Sequence, residues 1–587
     1  MDLDLISEPH VKDLASRGFV RGLTYYSRQP LTLSSSSSAS QSPSSRTKSN
    51  SSPIPLCHYY GGVRYAFAPA KRWRRARPLP SDFVYGTRHN PGDCTGRTRE
   101  CPQPGRAHAL RKKLKRKLME EGKKLEENEA EREDVFQCNI WCPLDDEERP
   151  EDGWPVFFFI HGGFLQFGTP NTFSAAALLG ETDFKCVIVM PAYRVSVFGF
   201  LSSVELERDA EMFGEPSGNQ GFWDQRMALE WTKENIGCFG GNPDNITIAG
   251  YSAGSYSVFY QLAYDLYQPD GNAIIKRAIM WSNGPAMQPK SRLFAQDQFD
   301  ELLSVLNIPL LLPPADKIAI LRSLPIDTIL DALDSIKHYH EFRPHTDSDF
   351  IQPSLFQDID NGIFAEKLIS RNIRLMIGEC RDEHFLYATH RPPQSDTLAS
   401  LAHRLKADYF PPPAVDKLIR LYYPDGKLPP DCKNWHTDAF GRIYADMQIH
   451  LMERGLINAL ARTGAGHLIY RYRVEFRLKC VDRIFPPEWG ATHAADQWIW
   501  FWGNGMRMLE REKHIVRKGV FEPLVKFVQG QEDDIGWEAV PGRVQEVRRL
   551  REDGKVDVWI DERWDEGVRV WEELKGFGAT IRVSGRL

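Results

Sequence analysis

The 587-residue sequence lacks the long apolar run that a membrane-spanning helix needs, since nowhere do about 18 apolar residues follow one another. Its first residues, MDLDLISEPH, contain acidic side chains and no apolar stretch of signal-peptide length. Neither sign of charge predominates, because 74 Lys and Arg residues nearly balance 79 Asp and Glu residues, for a formal net charge of −5. We therefore expect a cytoplasmic protein with no membrane span and no nucleic-acid partner.

The sequence also has little that would bind a metal. Cysteines number ten, but they show no tight metal-ligand spacing. Cys138 and Cys142 stand four apart in QCNIWCP, an apolar context that is typical of a strand, and no second pair accompanies them. A zinc site is therefore not expected.

Two segments have a composition unlike the rest. Residues 34–53 are mostly serine and have almost nothing apolar to bury, so we expect a disordered loop. Residues 106–134 are first basic and then acidic. Within this segment Leu110, Leu114 and Leu118 recur every four residues, as on one helical stripe. A solvated helix in a surface insertion is the favoured interpretation because the glutamates cancel the field of the lysines, and a nuclear signal or an anionic partner is the alternative.

Continuous apolar runs end at glycine, proline or polar turns in WPVFFFIHGG, FKCVIVMPAYR and DNITIAGYSAG. Runs that are apolar at every residue are typical of strands covered on both faces, as in a parallel sheet. Helix-like stretches such as GFWDQRMALEWTKENI lie between them. This alternation predicts an α/β fold with a central, mostly parallel sheet flanked by helices. The segments 290–345 and beyond 505 are interpreted as helical, charged cover.

The pentapeptide GYSAG at 250–254 fits the pattern G-x-S-x-G. A strand-like run at 245–249 enters it and a helix-like stretch, SYSVFYQLAYDLY, follows, which is the strand–turn–helix setting of a nucleophilic serine. Its glycines allow a tight turn, which raises Ser252 above the sheet edge at the positive end of the next helix. The sequence therefore predicts Ser252 as a nucleophile, with an inert serine in a glycine turn as the alternative.

A serine nucleophile needs a base within reach, and it needs donors for the oxyanion that forms when an ester carbonyl is attacked. A loop with paired glycines, HGGFLQFG at 161–168, follows the strand-like run WPVFFFI. Glycines there let main-chain N–H groups approach a substrate closely. We expect Gly162, Gly163 and Phe164 to form an oxyanion hole with the N–H of Ala253, the alternative being a glycine pair that only makes a turn.

On these motifs the sequence resembles the type B carboxylesterases, a family that includes the cholinesterases and many fungal esterases. The segment FGGNPDNITIAGYSAG at 239–254 is similar to the serine-site signature of that family. Four further segments resemble other parts of the family sequence, and they are YYGGVRYAFAP, EDVFQCNIWCP, PAYRVSVFGFLS and GNQGFWDQRMALEW. The resemblance extends over residues 17–505 with interruptions. It implies the α/β-hydrolase fold with helical cap insertions, in a single domain over residues 1–587.

The order of catalytic residues in that family is serine, acid, histidine. In IRLMIGECRDEHFLY the family glutamate corresponds to Glu383, which follows a strand-like run. The family usually has glycine after this acid, whereas here His384 stands in its place. Asp382 is the alternative acid, and an exposed, ion-pairing glutamate is the alternative role for Glu383.

For the base, the family pattern is a histidine, a small residue, an acid and an aromatic run that ends in glycine. The segment HAADQWIWFWG at 493–503 resembles this pattern, which identifies His493 as the expected base. The other histidines after the acid lack this setting; they include His390, His436, His450 and His514. The aromatic residues at 498–502 are expected to belong more to the core than to the wall of a pocket.

Departures from the family pattern of cysteines bear on the cellular compartment in which the protein is expected. Val135 stands where secreted members have a cysteine in a Glu-Asp-Cys signature, so Cys101 lacks its family partner. No pair of cysteines follows Ser252 closely either. We therefore expect no family disulfides and a reducing compartment, with a Cys94–Cys101 bridge as an alternative.

Two further departures lie beside the predicted site. Phe164 replaces the third glycine of the family's oxyanion run. Its main-chain N–H is still available as a donor, but its side chain needs space that a glycine would not. Tyr251 stands where cholinesterases have glutamate, so small uncharged esters rather than cationic choline esters are the expected substrates. The segment FRPHTDSDFIQPSLF at 342–356 lies near the substrate entrance if the resemblance extends to it.

The implied reaction is acyl transfer in two steps through an acyl-enzyme, and it needs neither a metal nor an organic cofactor. His493 would take the proton of Ser252 and later give it to the leaving alcohol, while Glu383 would fix the imidazole tautomer. The alternative function is a catalytically silent, cholinesterase-like interaction protein. Amide, thioester and carbamate substrates also remain open, because all of them pass through a tetrahedral oxyanion.

Overall fold

The structure is a computed structural model, and it describes residues 2–28, 52–120, 129–144, 149–285, 287–337, 341–531 and 535–577. The serine-rich segment predicted at 34–53 lies outside the described residues, except for Ser52 and Pro53.

Fifteen strands occur in these residues. They are β1 Leu5–Asp13, β2 Phe19–Ser27, β3 Ile54–Arg64, β4 Ala66–Phe67, β5 Arg77–Pro78, β6 Gly92–Asp93, β7 Gln137–Cys142, β8 Trp154–Ile160, β9 Val187–Pro191, β10 Gly241–Tyr251, β11 Ile275–Trp281, β12 Arg374–Cys380, β13 Ile469–Val474, β14 Glu546–Leu550 and β15 Val556–Ile560.

Thirteen of the described strands form one sheet, in the order β1-β2-β3-β7-β9-β8-β10-β11-β12-β13-β14-β15, with β6 beside β2. Every neighbouring pair from β9 through β8, β10, β11, β12 and β13 to β14 is parallel. Antiparallel strands extend the sheet on both sides. The predicted α/β fold with a central, mostly parallel sheet is confirmed.

The central strands are apolar at every residue because both faces of the sheet are covered. All seven residues of β8 are buried. Its side chains alternate between two cores, with Val156, Phe158 and Ile160 in one and Phe157 and Phe159 in the other. Such two-sided burial is what the continuous hydrophobic run of a parallel strand indicates.

Twenty-one α-helices surround the sheet in the same residues. They are α1 Arg106–Glu120, α2 Glu129–Glu133, α3 Ala176–Glu181, α4 Ser196–Phe200, α5 Val204–Glu211, α6 Gln220–Asn235, α7 Ala253–Leu266, α8 Arg292–Val305, α9 Pro314–Ser323, α10 Ile326–Leu333, α11 Leu355–Asn361, α12 Ile363–Ser370, α13 His384–Tyr387, α14 Leu398–Lys406, α15 Pro412–Tyr422, α16 Phe440–Ala445, α17 Leu451–Arg462, α18 Gln497–Trp500, α19 Glu510–Val516, α20 Glu522–Gln529 and α21 Trp564–Leu574. None of the described helices is long and apolar enough to cross a membrane.

The tail beyond residue 505 is more than the helical cover predicted for it. It contributes β14 and β15, which pair with each other and extend the parallel sheet beside β13. The interpretation missed these strands because their sequences, EVRRL and VDVWI, mix charged with apolar residues and form no continuous apolar run.

The charged segment 106–134 contains α1 and α2, while residues 121–128 lie outside the described part. Lys115 and Arg132 pair with Asp327 of α10 at 2.9 and 3.1 Å. Leu110 and Leu114 are 56% and 49% exposed, so these two leucines of the stripe do not pack into the core.

All ten cysteines lie in the described residues, and all of them are free thiols. The alternative of a Cys94–Cys101 bridge is therefore wrong. Cys101 instead accepts a hydrogen bond at its Sγ from the N–H of Val195, 3.4 Å away. Val135, at the position of the family cysteine, is buried in the hydrophobic core.

Candidate active site

The predicted site residues follow four parallel strands of the sheet. Ser252 follows β10, the loop at 161–168 follows β8, Glu383 follows β12, and His493 lies after β13. The carboxyl ends of neighbouring parallel strands lie at one edge, which is where open α/β sheets bind ligands. A parallel β-bridge between Asp382 and Thr492 joins the acid turn to the histidine loop.

The turn that carries Ser252 is as tight as its sequence predicts. Ser252 has φ 55° and ψ −123°, and its N–H donates to the carbonyl of Trp281 at 2.8 Å. A Cβ at Gly250 would lie 2.3 Å from the carbonyl oxygen of Gly254, and one at Gly254 would lie 2.0 Å from that of Ile160. Only glycine fits these two positions, so the pentapeptide holds Ser252 in its strained conformation at the start of α7.

Three of the predicted residues are brought into hydrogen-bonding distance of one another. The Nε2 of His493 lies 2.8 Å from the Oγ of Ser252, and its Nδ1 lies 2.5 Å from the Oε2 of Glu383. The other carboxylate oxygen of Glu383 accepts the N–H of Cys380 at 2.7 Å. Glu383 is fully buried and His493 is 2% exposed. The arrangement can pass a proton from the serine hydroxyl to an imidazole that the carboxylate orients.

Asp382, the alternative acid, is engaged elsewhere. Its Oδ2 accepts the N–H of Ala491 at 3.0 Å and pairs with the side chain of Arg381 at 3.0 Å. The replacement of the family glycine by His384 does not distort the turn. Glu383 has φ −51° and ψ −35°, and His384 begins the helix α13, so no left-handed residue is needed there.

The loop after β8 lies beside the serine. A Cβ at Gly162 would be 2.6 Å from the carbonyl oxygen of Tyr251, and one at Gly163 would be 2.0 Å from that of Phe167. Gly163 has φ 113° and Phe164 has φ 56°. Within the part of the chain that the structure describes, the N–H groups of Gly163 and Phe164 have no hydrogen-bond partner. These donors are available to an anionic oxygen.

His161, which opens this loop, is not a second base. Its ring stacks on Tyr193 with the centroids 4.4 Å apart, and its Nδ1 lies 2.8 Å from the carbonyl oxygen of Gly162. Burial lowers the pKa of His161 to about 4, so the ring is neutral at neutral pH. Its role is to hold the loop.

Tyr251 supports the loop that carries His493. It is 1% exposed, its hydroxyl accepts the N–H of Ala494, and its ring centroid lies 5.3 Å from that of His493. Burial raises the pKa of the Tyr251 hydroxyl well above its usual range, so the group carries no charge.

A second buried carboxyl group, to which sequence reasoning gave no role, lies near Glu383. Asp496 accepts the indole N–H of Trp500 at 2.8 Å. Burial, and then the charge of Glu383, raise the pKa of Asp496 to about 6. The only sequence signal for it is its place in the family pattern, three residues after His493.

The aromatic residues at 498–502 are core residues. Each of them is at most 9% exposed. Trp500 stacks on Trp281 with centroids 4.6 Å apart, and the indole N–H of Trp502 donates to Glu181 at 2.9 Å. They pack beneath the site.

Three rings pack against Phe164, the one residue of this cluster that the sequence predicts as a site residue. We call Phe164, Tyr387, His390 and Tyr444 the aromatic wall. Tyr387 lies 4.7 Å from the ring of His493 and 5.6 Å from that of Phe164, and Phe164 stacks on His390 at 3.6 Å. Tyr387 and His390 are three residues apart just after Glu383, and this spacing is the only sequence signal for them.

Comparison with known proteins identifies the family of the chain. A family model described as the carboxylesterase family matches residues 45–558. A carboxylic ester hydrolase of Gibberella moniliformis is 42% identical over 527 residues, covering 88% of this chain and 92% of the relative. An uncharacterized esterase/lipase of Schizosaccharomyces pombe is 36% identical over 530 residues, covering 89% and 92%.

Among solved structures, EstA of Aspergillus niger matches with a TM-score of 0.69 at 19% sequence identity. The match covers 97% of this chain and 99% of that one. At this identity the likeness concerns the fold alone. With the family match, it confirms the predicted α/β-hydrolase fold.

Proposed function

This chain belongs to the carboxylesterase family and is a carboxylic ester hydrolase, and on that premise we propose that it uses a triad of Ser252, His493 and Glu383. The observation that carries the proposal is the buried chain of hydrogen bonds that runs from the serine Oγ through the imidazole to the carboxylate. Serine esterases need a nucleophile, a base and an acid in this order and at these distances.

The proposed reaction has two steps. In the first, the Nε2 of His493 takes the proton of Ser252 as the Oγ attacks the ester carbonyl. The same nitrogen then gives this proton to the departing alcohol, which leaves an acyl group on Ser252. In the second, His493 takes a proton from water, the resulting hydroxide attacks the acyl group, and the proton returns to Ser252 as the carboxylic acid leaves. Glu383 stabilises the imidazolium in both steps.

The oxyanion of each tetrahedral intermediate is proposed to accept hydrogen bonds from the N–H groups of Gly163, Phe164 and Ala253, with Gly162 shaping the loop. The unpartnered N–H groups of the loop support this assignment. Ala253 is the first residue of the 14-residue helix α7, whose positive end favours negative charge at the same place. Loss of one such donor typically lowers kcat roughly 100- to 1,000-fold.

Uncharged esters are the proposed substrates. The neutral, buried Tyr251 supports this, because the position bears no carboxylate that could attract a cation. The rings of Phe164 and Tyr387 contact each other and add apolar surface at the site, where Tyr387 also lies 4.7 Å from the ring of His493. Apolar pockets with few polar groups are typical of sites for small neutral molecules.

A cytoplasmic location is also proposed. It is supported by the ten free thiols, since proteins of reducing compartments keep their cysteines reduced. Recovery of the native protein mainly from the culture medium would contradict this location.

Labelling with an organophosphonate tests the proposed nucleophile. We expect the probe to modify one serine, which peptide mapping by mass spectrometry identifies as Ser252. Ser252→Ala should take no label, and Ser304→Ala, which changes an exposed serine of α8, should be labelled like the wild type. A folded wild type that neither takes label nor hydrolyses esters would instead support a catalytically silent interaction protein.

A further inference from the structure

Phe164 has a backbone conformation that its side chain does not favour. Its φ is 56°, and that of the next residue, Leu165, is 58°. This left-handed region suits glycine, the residue that the family usually has here, and other residues remain in it only where their surroundings hold them. What holds Phe164 therefore bears on where its N–H points.

The carbonyl group of Phe164 is held by a buried arginine. The Nη1 of Arg343 donates to this carbonyl oxygen and also to the hydroxyl of Tyr409, at 2.8 Å. Only 3% of the Arg343 side chain is exposed, so the bond to Phe164 forms away from water. A charged donor in such surroundings fixes its acceptor firmly.

The ring of Phe164 is held from the other side. It stacks on His390 with the centroids 3.6 Å apart and the planes at 5°. The Nε2 of His390 lies 3.2 Å from Glu341, and another oxygen of Glu341 lies 3.2 Å from Arg343. The carbonyl and the ring of Phe164 are thus tied to one buried group of charges.

Asp408 and Arg404 belong to the same buried group of charges. Asp408 lies 3.1 Å from the Nε of Arg343 and 3.3 Å from the Nη1 of Arg404. Both arginine side chains are 3% exposed, and both acids are fully buried. Arg404 also supports His390, since its hydrogen bonds go to Asp408 and to the carbonyls of His390 and Arg391.

We infer that Arg343 and His390 are positioning residues for the oxyanion hole. They hold Phe164 in its left-handed conformation, so that its N–H faces the oxygen that becomes negative. Neither residue is assigned to the reacting atoms, and both act through Phe164. The inference rests on the proposed function, because it assigns the N–H of Phe164 to the oxyanion.

The test compares Arg343→Met with Arg226→Met. Each change removes one buried guanidinium, because the side chain of Arg226 is also 3% exposed and pairs with the buried Asp265 at 2.7 Å, but only the first releases the carbonyl of Phe164. We expect Arg343→Met to lower kcat at least about 10-fold with KM within about threefold, because a misplaced oxyanion donor weakens the transition state more than the bound substrate. Arg226→Met should keep kcat within about threefold of the wild type.

A second readout separates positioning from general damage. A trifluoromethyl ketone adds to the serine and forms an oxyanion, so its affinity should fall in Arg343→Met by about the same factor as kcat/KM. The matched His390→Phe variant keeps the stacked ring and should lose less than His390→Ala. If Arg343→Met is not recovered folded, Arg343→Lys provides the test, because lysine keeps the charge without the planar fork.

Three outcomes would overturn the inference: equal losses of kcat in the Arg343 and Arg226 variants, a change in KM alone, or wild-type kinetics in a folded Arg343→Met. Each of these outcomes presumes that the wild type is active and that a Ser252 variant abolishes this activity. Failure of the proposed function is distinct, because the wild type itself would then neither turn over esters nor take the phosphonate label.

Discussion

The imidazole of His493 lies between the Oγ of Ser252, at 2.8 Å, and the carboxylate of Glu383, at 2.5 Å. The serine and the histidine are 241 positions apart in the sequence. Neighbouring strands of the parallel sheet bring the three side chains to one edge, where each is almost completely buried. Because water is largely excluded there, hydrogen bonds between these groups orient them more firmly than at the surface.

Glu383→Gln should lower kcat roughly 100- to 10,000-fold, because the amide cannot stabilise the imidazolium as a carboxylate does. KM for a p-nitrophenyl ester should change little. The matched Asp382→Asn variant changes the neighbouring acid, which faces Ala491 and Arg381, and should retain kcat within a few-fold. Steady-state kinetics of the two variants decide between the acids. A larger loss of kcat in Asp382→Asn than in Glu383→Gln would assign the role of the triad acid to Asp382.

Gly163→Ala should fold and lose roughly 100-fold or more in kcat. A Cβ at this residue would lie 2.0 Å from the carbonyl oxygen of Phe167, and the φ of 113° disfavours alanine, so the loop must move its N–H groups. Gly237→Ala is the control, since nothing lies within 4 Å of a Cβ there. Circular dichroism should show both variants folded, and full activity in a folded Gly163→Ala would show that the loop does not bind the oxyanion.

The stability effect of Asp496→Asn should depend on pH. The folded-state pKa of about 6 lies above the ordinary aspartate value, so the carboxyl stabilises the fold at low pH and loses this contribution as pH rises through 6. Asparagine stays neutral and can still accept the indole N–H of Trp500. The unfolding free energy of the variant relative to the wild type should therefore rise by up to about 3 kcal/mol between pH 4 and pH 8.

Urea unfolding at several pH values measures this difference. Asp183→Asn, at an exposed carboxylate, provides the control and should show no comparable trend. A difference for Asp496→Asn that stays constant with pH would mean that burial does not keep this carboxyl protonated.

The fold and the tight turn that carries Ser252 could be predicted from the sequence because each depends on a local pattern, whereas Glu383 and His493 were identified through the family resemblance. The continuous apolar runs of β8, β9 and β10 reflect burial on both faces, and GYSAG requires glycine on either side of Ser252 for reasons of space. The strands β14 and β15 could not be recognised, because their short sequences mix charged and apolar residues without a continuous apolar run.

The side-chain contacts around the site could not be predicted either, and the reason is different. Arg343 contacts Phe164 across 179 positions, and His390 reaches the same ring from the connection after β12. Such contacts depend on how the helical insertions fold over the sheet, and no local spacing encodes them. The family resemblance placed the segment at 342–356 near the substrate entrance without identifying Arg343 within it.

Hydrolysis of short and medium p-nitrophenyl esters by the purified wild type and Ser252→Ala, measured side by side, tests the central claim most directly. The account predicts turnover by the wild type and a loss of at least about 1,000-fold in the variant, which removes the nucleophile but leaves the fold. Equal hydrolysis by both proteins, or none by a folded wild type, would contradict the proposed serine mechanism.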